Sequence, residues 1–337
     1  MLRHLGYQAA TQSIDACASR ICHPWEAVPE RLRSLIRANF GDLARILEFN
    51  AEHGINLYRV SSLVVPYASQ PGNKVSWWDE FSADLGRIGR LARRAGLRLE
   101  MHPGHHCLLN APSPETVALS ILELGWHVRF FDALGLDASH KLVVRVGATF
   151  GDKAAALGRF VSVVNGLPDA WKARLVVEND EARYGVADAL EASGRTGLPV
   201  ALGWLAHRRN PAGAAALAPL LARSFDTWRP ADGPPIVHLG SPAADGSFRI
   251  LYADWVEPRD LESLIAQAPA AIAFDCLLEA AQGDRALFDL RERRAIRESG
   301  VPNSIGEGWG EGATTSKGAK PQESPVTPEA WPGVRPP

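Results

Sequence analysis

The chain has 337 residues, 46% of them hydrophobic and 22% charged, with a formal net charge of −2. That balance belongs to a globular protein with a sizeable core, and no run approaches the roughly 18 uninterrupted apolar residues of a membrane span. Near-neutrality excludes nucleic-acid binding by bulk electrostatics alone, so any such binding needs a local basic patch.

In chain order, the opening MLRHLGYQAATQ has no apolar stretch followed by small residues, so no secretory leader is expected and the default compartment is the cytoplasm. Short runs rich in Val, Ile and Leu predict strands, and segments with helical spacing lie between them. The first strand is expected at His4–Ala9, then a helix at Asp42–Gly54 and a strand at Asn56–Ser61. Phe81–Gly96 places Leu85, Ile88 and Leu91–Ala92 on one helical face and arginines on the other, ahead of a strand at Leu97–His102. Pro114–Leu134 repeats the pattern with Val117, Ile121, Leu124 and Val128, and closes near Gly135. Further strands are expected at Lys141–Val146, Arg174–Glu178, Pro199–Trp204 and Pro235–Leu239, then a helix at Asp260–Ala268 and a last strand at Ala271–Cys276. Continuous apolar strands separated by helices imply parallel crossovers, and eight such units predict a closed (β/α) barrel over residues 1–297. From Glu298 the chain holds five acids and three bases and is dominated by Pro, Gly, Ser, Thr and Glu. Residues 298–337 are therefore expected to form a disordered tail. Cys17, Cys22, Cys107 and Cys276 lack CxxC spacing and read as structural or free thiols.

In a (β/α) barrel the chemistry sits at the C-terminal ends of the strands. Tyr7, His102, Arg145, Glu178 and His238 end predicted strands, and Glu279 follows the last one. Charged or imidazole groups on apolar strands are costly unless paired or ligated. Two histidines and two carboxylates converging from four strands suit a divalent ion such as Mn²⁺, Zn²⁺ or Mg²⁺; a solitary strand-end histidine is more often a hydrogen-bonded structural residue, and the joint placement is what raises the metal reading. No Walker A or GxGxxG phosphate loop is present at a strand–helix junction. The adjacent Trp77–Trp78 reads as packing, with stacking on nucleotides as the alternative.

The ordered run of motifs LGY, YRVSS, LVVP, HPGHHCLLNAP, ALGLDASHKLVVRVGA, RLVVEND, HRRNP and VHLGSP resembles the UV-damage endonucleases from about residue 3 to residue 290. The resemblance implies a TIM barrel of the xylose-isomerase-like, endonuclease-IV-like kind. Such a protein grips damaged double-stranded DNA and cuts the backbone 5′ to the lesion with a cluster of divalent ions, Mn²⁺ foremost and Zn²⁺ or Mg²⁺ as alternatives.

Carried over residue by residue, the resemblance assigns metal ligation to His102, Glu178, His238 and Glu279, with Glu178, Glu279 and His238 catalytic. Other ligand positions of the pattern are substituted: Gln70, Arg145 and Tyr252 stand for histidines, and Gly203 and Ala206 for an aspartate and a histidine. Ile236 stands where the pattern has a lysine. A guanidinium does not lose its proton and repels a nearby cation, so the multi-metal site is expected to be reduced, with a single ion on Glu178, His238 and Glu279 as the surviving option. Tyr7, His105 and His106 are expected at the lesion. Arg59, Arg183, Arg208 and Arg209 are candidate phosphate contacts, while Arg59, Ser61 and Ser62 read equally as mouth hydrogen bonding. Three functions follow as alternatives: a repair endonuclease with a reduced metal site, an inactive barrel that binds damaged DNA or a partner, and a barrel repurposed for a small metabolite.

Overall fold

The computed structural model describes residues 1–8, 11–70, 72–211, 216–243 and 252–299, and Met1–Ala295 forms one compact unit. Its centre is a closed barrel of eight parallel strands in sequential order. They are β1 (Leu2–Gln8), β2 (Leu57–Val60), β3 (Arg98–Met101), β4 (Lys141–Arg145), β5 (Leu175–Glu178), β6 (Val200–Gly203), β7 (Ile236–Leu239) and β8 (Phe274–Leu278). Crossovers run through α1 (Pro29–Glu52), α2 (Ser82–Arg94), α3 (Pro114–Ala133), α4 (Lys153–Asn165), α5 (Val186–Thr196), α6 (Leu217–Asp226) and α7 (Pro258–Gln267), and α8 (Asp284–Ser299) follows the last strand.

The expected strands and observed strands coincide to within a residue or two, except at the two ends of the barrel. The last strand begins at Phe274 rather than Ala271, because pairing starts only where Leu2 meets Phe274 and Ile236 meets Asp275. Ala9, placed in the first strand by sequence, and the tail after 299 lie outside the described residues. The helix expected from Asp42 starts at Pro29. Leu32, Leu35, Ile36, Asn39, Phe40 and Leu43 carry one buried stripe straight through Gly41, whose Cα faces open space, so the glycine does not interrupt the helix. At α3, Pro114 occupies the first turn and the Ser113 hydroxyl accepts from the Thr116 N–H at 3.2 Å, which fixes the start that the sequence suggested.

Strand alternation sorts the barrel into two cores. Tyr7, Tyr58, Leu99, Met101, Leu142, Val144, Leu175, Val177, Leu202, Val237 and Cys276 point outward into the large helix–sheet core. The inward residues form layers. Leu57, Ile236 and Leu277 make one apolar group at the waist and Val143, Val176 and Ala201 another, with Trp228 packed against both. At Gly6 any Cβ would meet the Leu57 carbonyl oxygen at 2.2 Å, so only glycine lets β1 close against β2 there.

Below the waist the interior is ionic. Arg98 donates to Asp275 Oδ2 at 2.9 Å and to the carbonyls of Pro234, Asp232 and Ser139. Lys141 Nζ donates to Asp232 Oδ1 at 2.7 Å and to the Ala173 carbonyl at 2.8 Å. Both cations lie over the Trp228 ring, at 5.4 and 5.9 Å from its centroid, and the Trp228 indole donates to the Val200 carbonyl. Above the waist lies the mouth.

Candidate functional site

The mouth is built on the last inward residue of each strand. Parallel register sets Gln8 beside Arg59, Arg59 beside Glu100, Arg145 beside Glu178, and Gly203 beside His238. These side chains close into one network. Arg59 Nε donates to Glu100 Oε1 at 2.5 Å, and its Nη1 donates to Glu279 Oε1 at 2.8 Å and to Gln8 Oε1 at 3.3 Å. His238 Nε2 faces Glu100 Oε2 at 3.2 Å, and its Nδ1 is hydrogen-bonded to Glu178 Oε1. Glu178 Oε2 accepts from Arg145 Nε at 3.1 Å and lies 3.5 Å from His102 Nε2. Arg145 Nη1 continues to Glu181 Oε2 at 3.1 Å.

The electrostatics follow from that geometry. Burial alone would push the His238 imidazole down, but Glu100 and Glu178 outweigh it and hold it at about 9. With a carboxylate at each nitrogen, the ring is an imidazolium that donates twice. Burial opposes ionisation of Glu100, yet Arg59 and His238 hold its carboxyl at about 2. Burial likewise opposes ionisation of Glu178, and His238 and Arg145 hold it well below the ordinary carboxylate range. Arg145 is itself raised: desolvation is more than offset by Glu178, Glu181 and Glu279.

One side of the network opens into a cavity of about 310 Å³ lined by Gln8, Arg59, Ser61, Ser62, His102, His105, Arg145, Arg209, Tyr252 and Glu279. A neighbouring lobe of about 310 Å³ shares His102, His105, Arg145 and Glu181 and adds Asp180 and Arg183. Most of the residues singled out in the sequence therefore meet at the mouth. Ala206 and Tyr252 line it, and Gly203 sits under Glu178, where a Cβ would come within 3.2 Å of Oε1.

Others do not meet there. Tyr7 was expected at the lesion, but β1 alternation turns its phenol outward, where it is buried and bonded to Thr11 Oγ1 and Asn50 Oδ1; the adjacent Gln8 faces the mouth instead. His106 turns away from the mouth toward Glu123, whose carboxylate raises its pKa. Arg208 pairs with Asp260 at 2.9 Å and lines a separate surface hollow with Trp204 and His207. Gln70 lies in a cavity with Trp77, Trp78, Trp126 and Trp171, apart from the carboxylates. Ile236 sits one layer down, in the apolar waist. Trp77 is buried and Trp78 stacks under Arg129 at 4.2 Å, which favours the packing reading. Arg59 lines the mouth with its guanidinium engaged by two carboxylates, Glu100 and Glu279.

Glu100 and Glu181 were missed. Glu100 carried a legible signal, since it stands two residues before His102 in an apolar strand and so shares its inward face. Glu181 lies in the loop after β5, where no periodicity operates.

Glu178, His238 and Glu279 each offer a ligand atom within 4.8 Å of the others, the spacing for one divalent ion. The donor set fits a single ion at most. Gly203 and Ala206 have no donor, and the Arg145 guanidinium stands against Glu178.

A closed parallel barrel with a carboxylate–imidazole cluster at the carboxyl ends of its strands defines a TIM-barrel protein whose mouth has room for a divalent ion. The comparisons narrow this. The family described as UV-endonuclease UvdE matches residues 2–304. The UV DNA damage endonuclease of Bacillus pumilus is 33% identical over 270 residues, covering 80% of this chain and 84% of the relative. That of Bacillus velezensis is 32% identical over the same length. The crystal structure of SacUVDE superposes with a TM-score of 0.80 at 28% identity, covering 88% of this chain and 99% of that one. Endonuclease IV from Thermus thermophilus, at TM-score 0.50 and 17% identity over 88% of this chain and all of that one, shares the fold. This chain belongs to the UV-endonuclease family. No helix among the described residues is long and apolar enough to cross a membrane.

Proposed function

We propose that this DNA-repair protein of the UV-endonuclease family receives damaged duplex DNA at the barrel mouth and incises the phosphodiester 5′ to the lesion. One divalent ion, Mn²⁺ foremost, would be held by Glu178, His238 and Glu279. The observation that carries this reading is the convergence of those three ligand atoms beneath an open cavity that also presents arginine and histidine side chains. When bound, such an ion polarises the phosphate and supports attack by water. The protein's own contributions are distinct. Glu279, the member of the trio open to the cavity, is placed to accept a proton from the water, while His238, an imidazolium between Glu100 and Glu178, would give up the proton of one ring nitrogen to join Glu178 in holding the ion. Arg59 fixes Glu279, and Arg145 fixes Glu178, so both carboxylates are oriented before DNA arrives.

The direct test is nicking of UV-irradiated supercoiled plasmid with saturating Mn²⁺, with unirradiated plasmid and Glu178→Gln as controls. Irradiated plasmid should be converted to open circles by the natural chain and not by the variant. No excess over unirradiated plasmid would sink incision. A second reading, retention of damaged DNA without cleavage, is favoured by one observation: each of the three ligands is already matched by a partner within the protein. It predicts lesion-dependent binding and no transition metal by elemental analysis.

A further inference from the structure

The second lobe of the mouth shares Arg145 and Glu181 with the first and adds two charged groups of its own, Asp180 and Arg183. Asp180 spends its carboxylate on the backbone N–H groups of Ala182, Arg183 and Tyr184. Glu181 is paired to Arg145 at 3.1 Å. Both acids of this lobe are therefore matched internally. The cations are not used to the same extent. Arg145 bonds Glu178 and Glu181 through Nε and Nη1, and neither pairing takes Nη2, while about a quarter of its side chain (23%) remains accessible. Arg183 is exposed on the lobe's wall and makes no ion pair among the described residues. His102 and His105 complete the polar lining.

A lobe with matched acids and spare guanidinium donors, lying beside the cluster of Glu178, His238 and Glu279, suits a doubly oxygenated anion. Arginine presents a planar fork that engages phosphate oxygens two at a time, and its charge is permanent. Resting on the reading that duplex DNA lies over the mouth, we infer that this lobe grips a backbone phosphodiester of the bound DNA through Arg145 and Arg183, and that binding needs no divalent ion. The ion would serve the cut alone. Arg145 is then a residue with two tasks, orienting Glu178 on one side and facing the phosphate on the other.

Fluorescence anisotropy of the full chain with a labelled duplex carrying a pyrimidine dimer tests this, in EDTA and in Mn²⁺, across a salt series. Affinity in EDTA should stay within about twofold of that in Mn²⁺. Arg183→Gln should weaken binding roughly three- to tenfold and reduce the slope of log affinity against log salt by about one, the signature of one lost phosphate contact. Arg145→Gln should do the same, and Arg145→Lys should recover part of the affinity. Because Arg183 is exposed, its variant keeps the test independent of any folding defect at Arg145. A drop of more than about tenfold in EDTA, or an unchanged affinity and slope in Arg183→Gln, overturns the metal-free grip while leaving DNA binding intact. Failure to bind the damaged duplex in either condition removes the DNA reading itself. Inorganic phosphate separates the remaining source: if it raises the melting temperature in an Arg183-dependent way while duplex does not bind, the lobe holds free phosphate and the inference falls.

Discussion

The floor and the mouth of this barrel both carry buried ions, but they satisfy them differently. At the floor, Arg98 bonds three backbone carbonyls besides Asp275, and Lys141 bonds one besides Asp232. Trp228 seals them from the waist. At the mouth almost every partner is another side chain: Arg59 to Glu100 and Glu279, His238 to Glu100 and Glu178, Arg145 to Glu178 and Glu181. Backbone carbonyls cannot move without unfolding a strand or turn, whereas side chains can exchange partners in place. The floor is a fixed plug. The mouth is a network of exchangeable side-chain pairs with one face open to a cavity.

The largest expected effect would break this contrast if it failed. Arg98→Ala leaves Asp275 buried without its main counter-charge and three carbonyls without a donor, and should cost roughly 3–5 kcal/mol in urea unfolding. Arg145→Gln should cost less, about 1–2 kcal/mol, because Glu178 keeps His238 and His102 and the site reaches solvent. Equal losses from the two variants would mean that the mouth is as rigid a structural element as the floor.

Titration sharpens the same comparison. His238 is held at about 9 against an ordinary value of 6.5. Its folded-state pKa is raised, so its stabilisation is complete below pH 6.5 and is lost as pH rises through about 9, for a total of roughly 3 kcal/mol. At the floor, desolvation outweighs Asp232 and pulls Lys141 down to about 8 from 10.5. That shift has the opposite sign: its burial cost is fully felt below pH 8 and is relieved as pH rises from 8 to 10.5. Urea midpoints should therefore fall between pH 6.5 and 9 in the natural chain, and His238→Gln should remove that fall while leaving the Lys141 rise. A flat profile in the natural chain would show that the mouth imidazole carries no such charge.

The barrel itself was legible in the sequence because its strands are short runs rich in apolar residues, separated by periodic helices. Where legibility ended, the causes are specific. The helix was expected only from Asp42, although the buried stripe of α1 runs from Leu32 through Gly41, which faces open space. Tyr7 was placed at the mouth although a one-residue step along β1 turns it outward and brings Gln8 in. His102, Arg145, Glu178, His238 and Glu279 were found because strand ends mark them, and Glu100 needed only the alternation that relates it to His102. The pairing of Arg59 with both Glu100 and Glu279 was out of reach, since it joins strands 41 and 220 residues apart in the chain.

Arg208 gives the smallest expected effect and the finest test of the boundary between mouth and periphery. In the sequence it sits in the same HRRNP run as Arg209, and both read as phosphate contacts. In the fold the two diverge: Arg209 lines the mouth cavity, and Arg208 points to Asp260 at the start of α7, half exposed. Asp260 is buried but keeps the Ser241 hydroxyl, and the guanidinium is half in solvent, so the pair contributes on the order of 1 kcal/mol. Arg208→Gln should therefore change affinity for a damaged duplex by less than about twofold and leave the salt slope unaltered, because no phosphate contact is lost. A reduction in slope of about one would extend the DNA-binding surface past the barrel mouth and onto the flank formed by α7.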